Sequence, residues 1–224
     1  MKTIKLLNII GTICIIFTSC KNDHVPNENT KVSTDNNTEN IENIEISTVK
    51  IGGVEWTTCN LNTNKFQNGD LIFEAKNAED WINAGKEERP AWCYYAFDSL
   101  NEKKYGKLYN WYAANDPKGL APKDWHVATN GEWKELSQAN QKKLRENSNI
   151  KYLDEIKFNP VSSGFCSSKG EFFPINKDDG QWWCYYDKKQ RESYVWGIDS
   201  KNNTGWRVVK KRIGLPVRCV KDKY

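Results

Sequence analysis

The fold is most restricted by one stretch of sequence, Thr129-Asn130-Gly131-Glu132-Trp133. Thr129 and Glu132 have the spacing of a capping box, in which the threonine side chain bonds the amide three residues on and the glutamate reaches back to the amide of the cap. Trp133 and Leu136 then continue at helical spacing. The stretch therefore predicts an α-helix that begins after Thr129 and turns Trp133 and Leu136 towards a core.

Working outward, the other local signals indicate short strands. Val49-Lys50-Ile51 and Val54-Glu55-Trp56 flank Gly52-Gly53, which predicts a tight hairpin with positive φ at the turn. Residues 154–186 contain glycines and prolines without sustained periodicity, so they predict loops with brief strands. Residues 215–220 predict a final buried strand. The fold class predicted is α+β, loop-rich, with short antiparallel strands and one or two helices.

The N-terminus has the layout of an export signal. Lys2 and Lys5 precede an apolar run from Leu6 to Phe17, which is too short to cross a bilayer as a helix. Small residues precede Cys20, and this region resembles the lipobox of bacterial lipoproteins. The resemblance implies a signal peptide over residues 1–19, lipidation of Cys20, and a membrane anchor with more than one acyl chain.

The next segment predicts a tether. Residues 20–48 begin with the lipidated cysteine and continue with polar residues that bury too little apolar surface to become ordered. One globular domain follows over residues 49–224, where nearly all aromatic residues lie. The net charge of +4 comes from interspersed residues of both signs, so no nucleic acid partner is predicted. The expected location is the cell envelope, at the outer membrane and with surface exposure.

Several blocks of the domain resemble one family. They are Val49-Lys50-Ile51-Gly52-Gly53-Val54-Glu55-Trp56, Tyr105-Gly106-Lys107-Leu108-Tyr109-Asn110-Trp111-Tyr112-Ala113, Leu120-Ala121-Pro122-Lys123-Asp124-Trp125-His126-Val127-Ala128-Thr129 and Val217-Arg218-Cys219-Val220-Lys221-Asp222. In this order they resemble the Fibrobacter succinogenes major paralogous domain. The segments around Trp125 and Arg218 are also similar to those of formylglycine-generating enzymes. The resemblance implies a C-type-lectin-like fold, which by itself does not define a function.

Known catalytic and metal-binding patterns are absent from the sequence. The Glu-Pro-Asn, Gln-Pro-Asp and Trp-Asn-Asp triplets that supply calcium ligands in lectins do not occur. The chain has two histidines, and His24 lies in the tether while His126 lies in the domain. The domain therefore has no pair of histidines that could bind zinc together or activate a catalytic nucleophile. No cofactor, metal ligand or catalytic residue is therefore predicted.

The domain has an odd number of cysteines, so at least one thiol has no partner within it. Cys166 and Cys184 are the nearest pair in sequence and lack the copper-binding motif of formylglycine-generating enzymes. A structural disulfide is the favoured interpretation in an oxidising compartment, and the pairing is left open. The candidate disulfide residues are Cys59, Cys93, Cys166, Cys184 and Cys219.

Two aromatic runs are the remaining feature of interest. Residues 92–95 read Trp-Cys-Tyr-Tyr, and residues 183–186 repeat this order after a further tryptophan. Neighbouring side chains on a strand point to opposite faces, so some of these rings should lie near the surface. The runs either fill a loop-rich core or form an aromatic platform for a ligand. The candidate ligand-binding residues are Trp182, Trp183, Tyr185 and Tyr186.

These features favour a cell-envelope lipoprotein whose single domain binds a polysaccharide or a protein partner without catalysis. The contact surface is expected in the loops over residues 158–194. One alternative is a modifying oxidoreductase that descends from a formylglycine-generating ancestor, which requires two neighbouring thiols beside a pocket. Another alternative is a purely structural protein of the envelope.

Overall fold

The computed structural model describes residues 46–146, 158, 163–174, 179–185, 193–199 and 203–223. The predicted signal peptide, Cys20 and nearly all of the predicted tether lie outside these residues. The first strand begins at Thr48, one residue before the predicted start of the domain. No helix within the described ranges is long and apolar enough to cross a membrane.

The described residues form a mixed α+β structure, as predicted. The four α-helices are α1 (Ala78–Lys86), α2 (Glu102–Tyr105), α3 (Trp111–Ala114) and α4 (Asn130–Glu146). The twelve strands are short, and they are β1 (Thr48–Ile51), β2 (Val54–Thr57), β3 (Phe73–Glu74), β4 (Ala91–Cys93), β5 (Leu108–Tyr109), β6 (Trp125–Val127), β7 (Phe165–Cys166), β8 (Phe172–Phe173), β9 (Gly180–Trp183), β10 (Ser193–Ile198), β11 (Thr204–Val209) and β12 (Cys219–Lys221).

The expectation of one or two helices was too low. Helices α2 and α3 are single turns, and α1 is a nine-residue helix that periodicity did not reveal. Helix α1 begins because the Asn77 side chain accepts a hydrogen bond from the Asp80 amide at 2.9 Å. It buries Trp81, Ala84 and Gly85. A contact face this small leaves too few apolar positions for a helical pattern to be visible in the sequence.

The first and last strands that the structure describes belong to one four-stranded sheet with the order β1-β2-β12-β6. The predicted hairpin is confirmed, since Ile51 pairs with Val54 and Gly52 and Gly53 have φ values of 60° and 86°. The predicted final strand is shorter than expected. Strand β12 starts at Cys219, while Leu215 forms an isolated bridge with Tyr109.

Three smaller sheets complete the described architecture. Their orders are β11-β10-β9, β3-β4-β5 and β7-β8. Strands β3 and β4 pair in parallel, so the expectation of antiparallel strands holds for the other pairs but fails here. Strands β7, β8 and β9 lie within the region that was predicted to be loops with brief strands.

Helix α4 closes the main aromatic core as its sequence predicted. Trp133 and Leu136 are fully buried. The Trp133 ring stacks on Trp196 of β10 with centroids 4.3 Å apart, and Trp182 of β9 lies 5.6 Å away. Trp56 of the opening hairpin contacts the same ring at 4.8 Å. The helix therefore joins two sheets through one tryptophan.

Candidate binding surface

The two tryptophans proposed as a ligand platform are completely buried. Trp182 belongs to the cluster around Trp133, whereas Trp183 packs with Tyr109 and Leu215 in a second cluster. Their side chains thus point to opposite faces of β9, as neighbouring residues on a strand must. The expected exposure is wrong for both residues because β9 is covered by core on each face.

The indole nitrogens of these residues are also occupied. Trp182 Nε1 donates to Asn60 Oδ1 at 2.9 Å, and Trp183 Nε1 donates to the Tyr109 carbonyl at 2.7 Å. Hydrogen-bonded and buried tryptophans of this kind hold a core together. We therefore assign Trp182 and Trp183 to the core, which was the other interpretation of the aromatic runs.

The tyrosines of the second run differ from the tryptophans. Tyr185 is 38% exposed, and its amide donates to the Ala128 carbonyl at the start of α4. This exposure agrees with the expectation that some rings of the run lie near the surface, and the binding role of Tyr185 stays a prediction. Tyr186 lies outside the described residues.

The first aromatic run ends in a polar cluster. Trp92 is buried, and Lys107 Nζ lies 4.6 Å from its ring centroid and 3.0 Å from Glu102 Oε1. Asn62 also bonds both Lys107 and Glu102. Burial, with the nearby Glu102 carboxylate, raises the pKa of Tyr94 to about 12. These polar groups form hydrogen bonds with one another, so the cluster is best explained as structural.

The exposed tryptophan lies elsewhere, on β11. Trp206 is 40% exposed, while the other nine tryptophans, which are also within the described residues, are buried or half-buried. Sequence reasoning missed it because no aromatic run surrounds it. The available signal was its setting, Thr204-Gly205-Trp206-Arg207-Val208, in which an aromatic residue lies beside glycine and a charged side chain.

Strand β11 is exposed on both sides, and we call the side that carries Trp206, opposite buried Trp196 of β10, the β11 face. It consists of Thr204, Trp206 and Val208, which share a side of the strand, and Tyr194, which pairs with Val208 on β10. Val208 is exposed, and Thr204 and Tyr194 are half-exposed. Strand β11 is the terminal strand of its three-stranded sheet. The β11 face therefore combines one large ring with hydroxyl groups and an apolar neighbour.

Four of the candidate cysteines are free thiols, and all four are buried: Cys93, Cys166, Cys184 and Cys219. Cys166 and Cys184, the nearest pair in sequence, do not pack together, because they lie in different hydrophobic clusters. Cys166 instead shares a cluster with Cys93. Cys59 is half-buried.

Groups suited to metal binding do not converge in the part of the chain that the structure describes. No set of three or more histidine, cysteine, aspartate or glutamate residues there has the geometry to hold an ion. The residues that line the β11 face offer hydroxyl groups and rings instead of carboxylates. Recognition at this face would therefore depend on stacking and hydrogen bonds.

His126 bonds two carboxylates, one on each ring nitrogen, and we call these three residues the charged staple. His126 on β6 has Nδ1 2.6 Å from Asp222 Oδ1 and Nε2 2.8 Å from Glu132 Oε1. The predicted capping box is confirmed, since the Thr129 amide donates to Glu132 Oε2 at 2.8 Å and the Glu132 amide donates to Thr129 Oγ1 at 3.4 Å. The staple thus ties the end of the chain to the start of α4.

His126 and Glu132 have shifted pKa values. The hydrogen bond to Glu132, with a further one to Asp222, raises the pKa of His126 above its ordinary 6.5 although burial opposes the change. Burial also opposes ionisation of Glu132, but bonds from His126 and Thr129 lower its pKa below 4.5. A doubly protonated imidazole can donate to both carboxylates at once, which explains the direction of the histidine shift.

We expect His126→Gln to destabilise the domain by about 1 kcal/mol at pH 6, the scale of a partly exposed charge-assisted hydrogen bond. Because the folded pKa of His126 is raised, its contribution is complete below the unfolded value of 6.5 and is lost as pH rises through the folded value. Urea unfolding from pH 5.5 to 9 should show the two proteins converging at the alkaline end. His24→Gln in the predicted tether is the control and should match the parent throughout. A difference that stays constant or grows with pH would contradict the assignment.

The described residues define a small α+β domain, in which four sheets and four helices enclose three hydrophobic clusters. Sequence comparison then gives its family. The family model of the Fibrobacter succinogenes major domain matches residues 49–221, and the chain belongs to this family. No curated protein and no solved structure matches the chain.

Proposed function

We propose that this protein is an exported, lipid-anchored module that binds a polysaccharide through the β11 face without catalysing a reaction. The observation that carries the proposal is the exposure of Trp206 in a domain that keeps its other tryptophans buried or half-buried. Leaving two fifths of a large ring in water gives up part of the free energy that its burial would provide. Together with the exposed Val208 on the same side of the strand, the ring forms an apolar patch that a ligand can contact.

A sugar fits the chemistry of this face. The ring face of tryptophan carries partial negative charge and attracts the polarised C–H groups of a pyranose. Thr204 offers a hydroxyl group on the same side of the strand as the ring, and Arg207 is an exposed donor on the other side. A Cβ at Gly205 would meet nothing within 4 Å, so the other side of β11 is open as well. Few protein interfaces would be centred on so small an apolar area.

The proposed location follows from the N-terminal sequence. The signal peptide over residues 1–19 would deliver the chain across the inner membrane, and acylation of Cys20 would retain it in the envelope. The polar tether over residues 20–48 would then hold the domain away from the lipid. We propose the outer membrane as the site of anchoring, with the domain exposed at the surface.

We also propose that the domain has the C-type-lectin-like fold. Support comes from the two segments on which that resemblance depends, which are neighbours in one sheet: Cys219 of β12 pairs with Val127 of β6, and Val220 pairs with His126. In a fold of small sheets, the connecting loops lie at the surface, and binding residues are commonly found on such loops.

We expect Trp206→Ala to weaken binding to a recognised polysaccharide at least tenfold, the loss that corresponds to about 1.4 kcal/mol of stacking energy. The test is a glycan array probed with the detergent-solubilised full chain, followed by calorimetry on any hit. Because Trp206 is exposed, the substitution should change the free energy of unfolding by less than about 1 kcal/mol.

Leu100→Ala is the matched control, since Leu100 is also an exposed apolar residue but lies far along the chain from β11, and it should bind like the parent. Binding that is unaffected by Trp206→Ala would contradict the assigned face. A blank array would reject a polysaccharide ligand and direct the search to a protein partner.

A further inference from the structure

Two cysteines from distant parts of the chain meet inside the third hydrophobic cluster. Cys93 ends β4 and Cys166 ends β7, and both are completely buried together with Trp81, Ala84 and Leu108. Both side chains belong to this one cluster, and the Cys166 thiol is near enough to influence the ionisation of Cys93. The cluster brings the two side chains together although about 70 residues separate them in sequence.

Contacts of Tyr95 with the residues around Cys166 hold the two segments together. The Tyr95 ring, two residues after Cys93, lies 5.2 Å from the ring of Phe172, which pairs with Cys166. A Cβ at Gly164, two residues before Cys166, would come within 2.7 Å of Tyr95, so glycine permits the two segments to approach. The juxtaposition of the thiols is therefore set by the packing of β4 and β7, independently of the thiols themselves.

The other free thiols of the described residues have different surroundings. Cys184 belongs to the cluster around Trp133, and Cys219 belongs to the cluster around Tyr109. Neither shares its cluster with Cys93 or Cys166. Of the pairings that the sequence left open, the packing thus favours one.

We propose that Cys93 and Cys166 become joined by a disulfide when the chain folds in the presence of a disulfide oxidant, the condition that the proposed export would provide. The bond would connect the β3-β4-β5 sheet to the β7-β8 hairpin. It would close a loop of about 70 residues, and long loops are those whose closure most restricts the unfolded chain. The bond would therefore stabilise the folded domain.

The chemistry requires an external oxidant, such as oxidised glutathione or a protein disulfide. One thiolate attacks the oxidant's disulfide, forms a mixed disulfide and releases a thiol. The second thiolate then attacks the mixed disulfide, which forms the Cys93–Cys166 bond and releases the oxidant's second thiol. Two protons leave the cysteines, and the oxidant gains two electrons.

Burial determines when this reaction takes place. In the folded domain neither sulfur is exposed, and burial, with the neighbouring Cys166, raises the pKa of the Cys93 thiol well above its usual range. The thiolate that attacks the oxidant is therefore scarce and inaccessible after folding. We expect the bond to form during folding, before β7 closes over β4, and to resist mild reductants afterwards.

The test is to refold the denatured full chain with either oxidised glutathione or excess reductant, and then to alkylate and map all thiols under denaturing conditions. We expect a linked Cys93–Cys166 peptide and the loss of both alkylation sites in the oxidised sample. The thermal midpoint of that sample should be higher by several degrees. Cys184→Ser is the control and should retain the linked peptide, while Cys93→Ser should leave Cys166 fully alkylated.

Full alkylation of Cys93 and Cys166 after oxidative refolding, or a link from either residue to Cys184, would overturn the proposal. A chain isolated from the cell envelope gives the same measurement without a refolding step. Export is measured separately, by the removal of residues 1–19 and by the presence of lipid on Cys20. A failure of the disulfide is therefore distinguishable from a failure of the proposed location.

Discussion

Trp133→Ala is expected to lower the free energy of unfolding by about 3–5 kcal/mol, the range for removing a large aromatic residue from a packed core. Trp133 is completely buried and contacts Trp56, Trp182 and Trp196, with ring centroids 4.8, 5.6 and 4.3 Å away. These partners belong to the opening hairpin and to β9 and β10, so one substitution would weaken the contacts of α4 with two sheets. Chemical denaturation followed by circular dichroism measures the change.

Trp206→Ala provides the matched control, because it is the same substitution at an exposed position and should cost less than about 1 kcal/mol. For a domain of this size the loss at Trp133 corresponds to a fall of roughly 10 °C in the melting temperature. Equal effects of the two substitutions would show that the tryptophan cluster is not the centre of the core.

Arg218→Met is expected to destabilise the domain by about 2–4 kcal/mol. The guanidinium is completely buried, and it donates to Asn60 Oδ1 at 3.0 Å and to the carbonyls of Thr57 and Phe158 at 3.0 and 3.1 Å. Burial lowers the pKa of Arg218 to about 9, which shows how unfavourable the surroundings are for a bare charge. Methionine removes this desolvation cost but leaves buried acceptors without a donor, and the second effect is the larger.

The network around Arg218 also explains the positions of its neighbours. Asn60 Oδ1 accepts from Trp182 Nε1 as well as from Arg218, and the guanidinium lies 4.8 Å from the Phe158 ring. Arg207→Met on β11 is the control, since that side chain is exposed and its loss should be nearly neutral. If Arg218→Met matched Arg207→Met in denaturant unfolding, the buried network would not contribute to stability.

The sequence correctly predicted the features that depend on neighbouring residues. The Gly52-Gly53 hairpin and the Thr129–Glu132 capping box are confirmed because a turn and a helix start are determined within four residues. The family was also recognisable from short blocks in a fixed order. Helix α1 was missed because its single capping asparagine precedes only a few buried residues.

The candidate site was harder to predict. Alternation along β9 correctly separates Trp182 from Trp183, but it cannot show whether the second face of the strand meets water or another part of the core. Exposure depends on what lies opposite a residue, and for β9 the opposing residues come from helix α4 and from the loop before β12. For the same reason the exposure of Trp206 could not be predicted, since it depends on the position of β11 at the edge of its sheet.

By itself, the sequence determined the α+β class, the hairpin at the start of the domain, the start of α4 and the family, because each depends on local hydrogen bonds or short ordered motifs. Only the tertiary structure decided which aromatic rings are buried, which cysteines are neighbours and which strand is terminal. Cys93 and Cys166 illustrate the difference, since two residues far apart in the chain became partners through the packing of β4 and β7. Contacts of this kind depend on many residues at once, and no short segment encodes them.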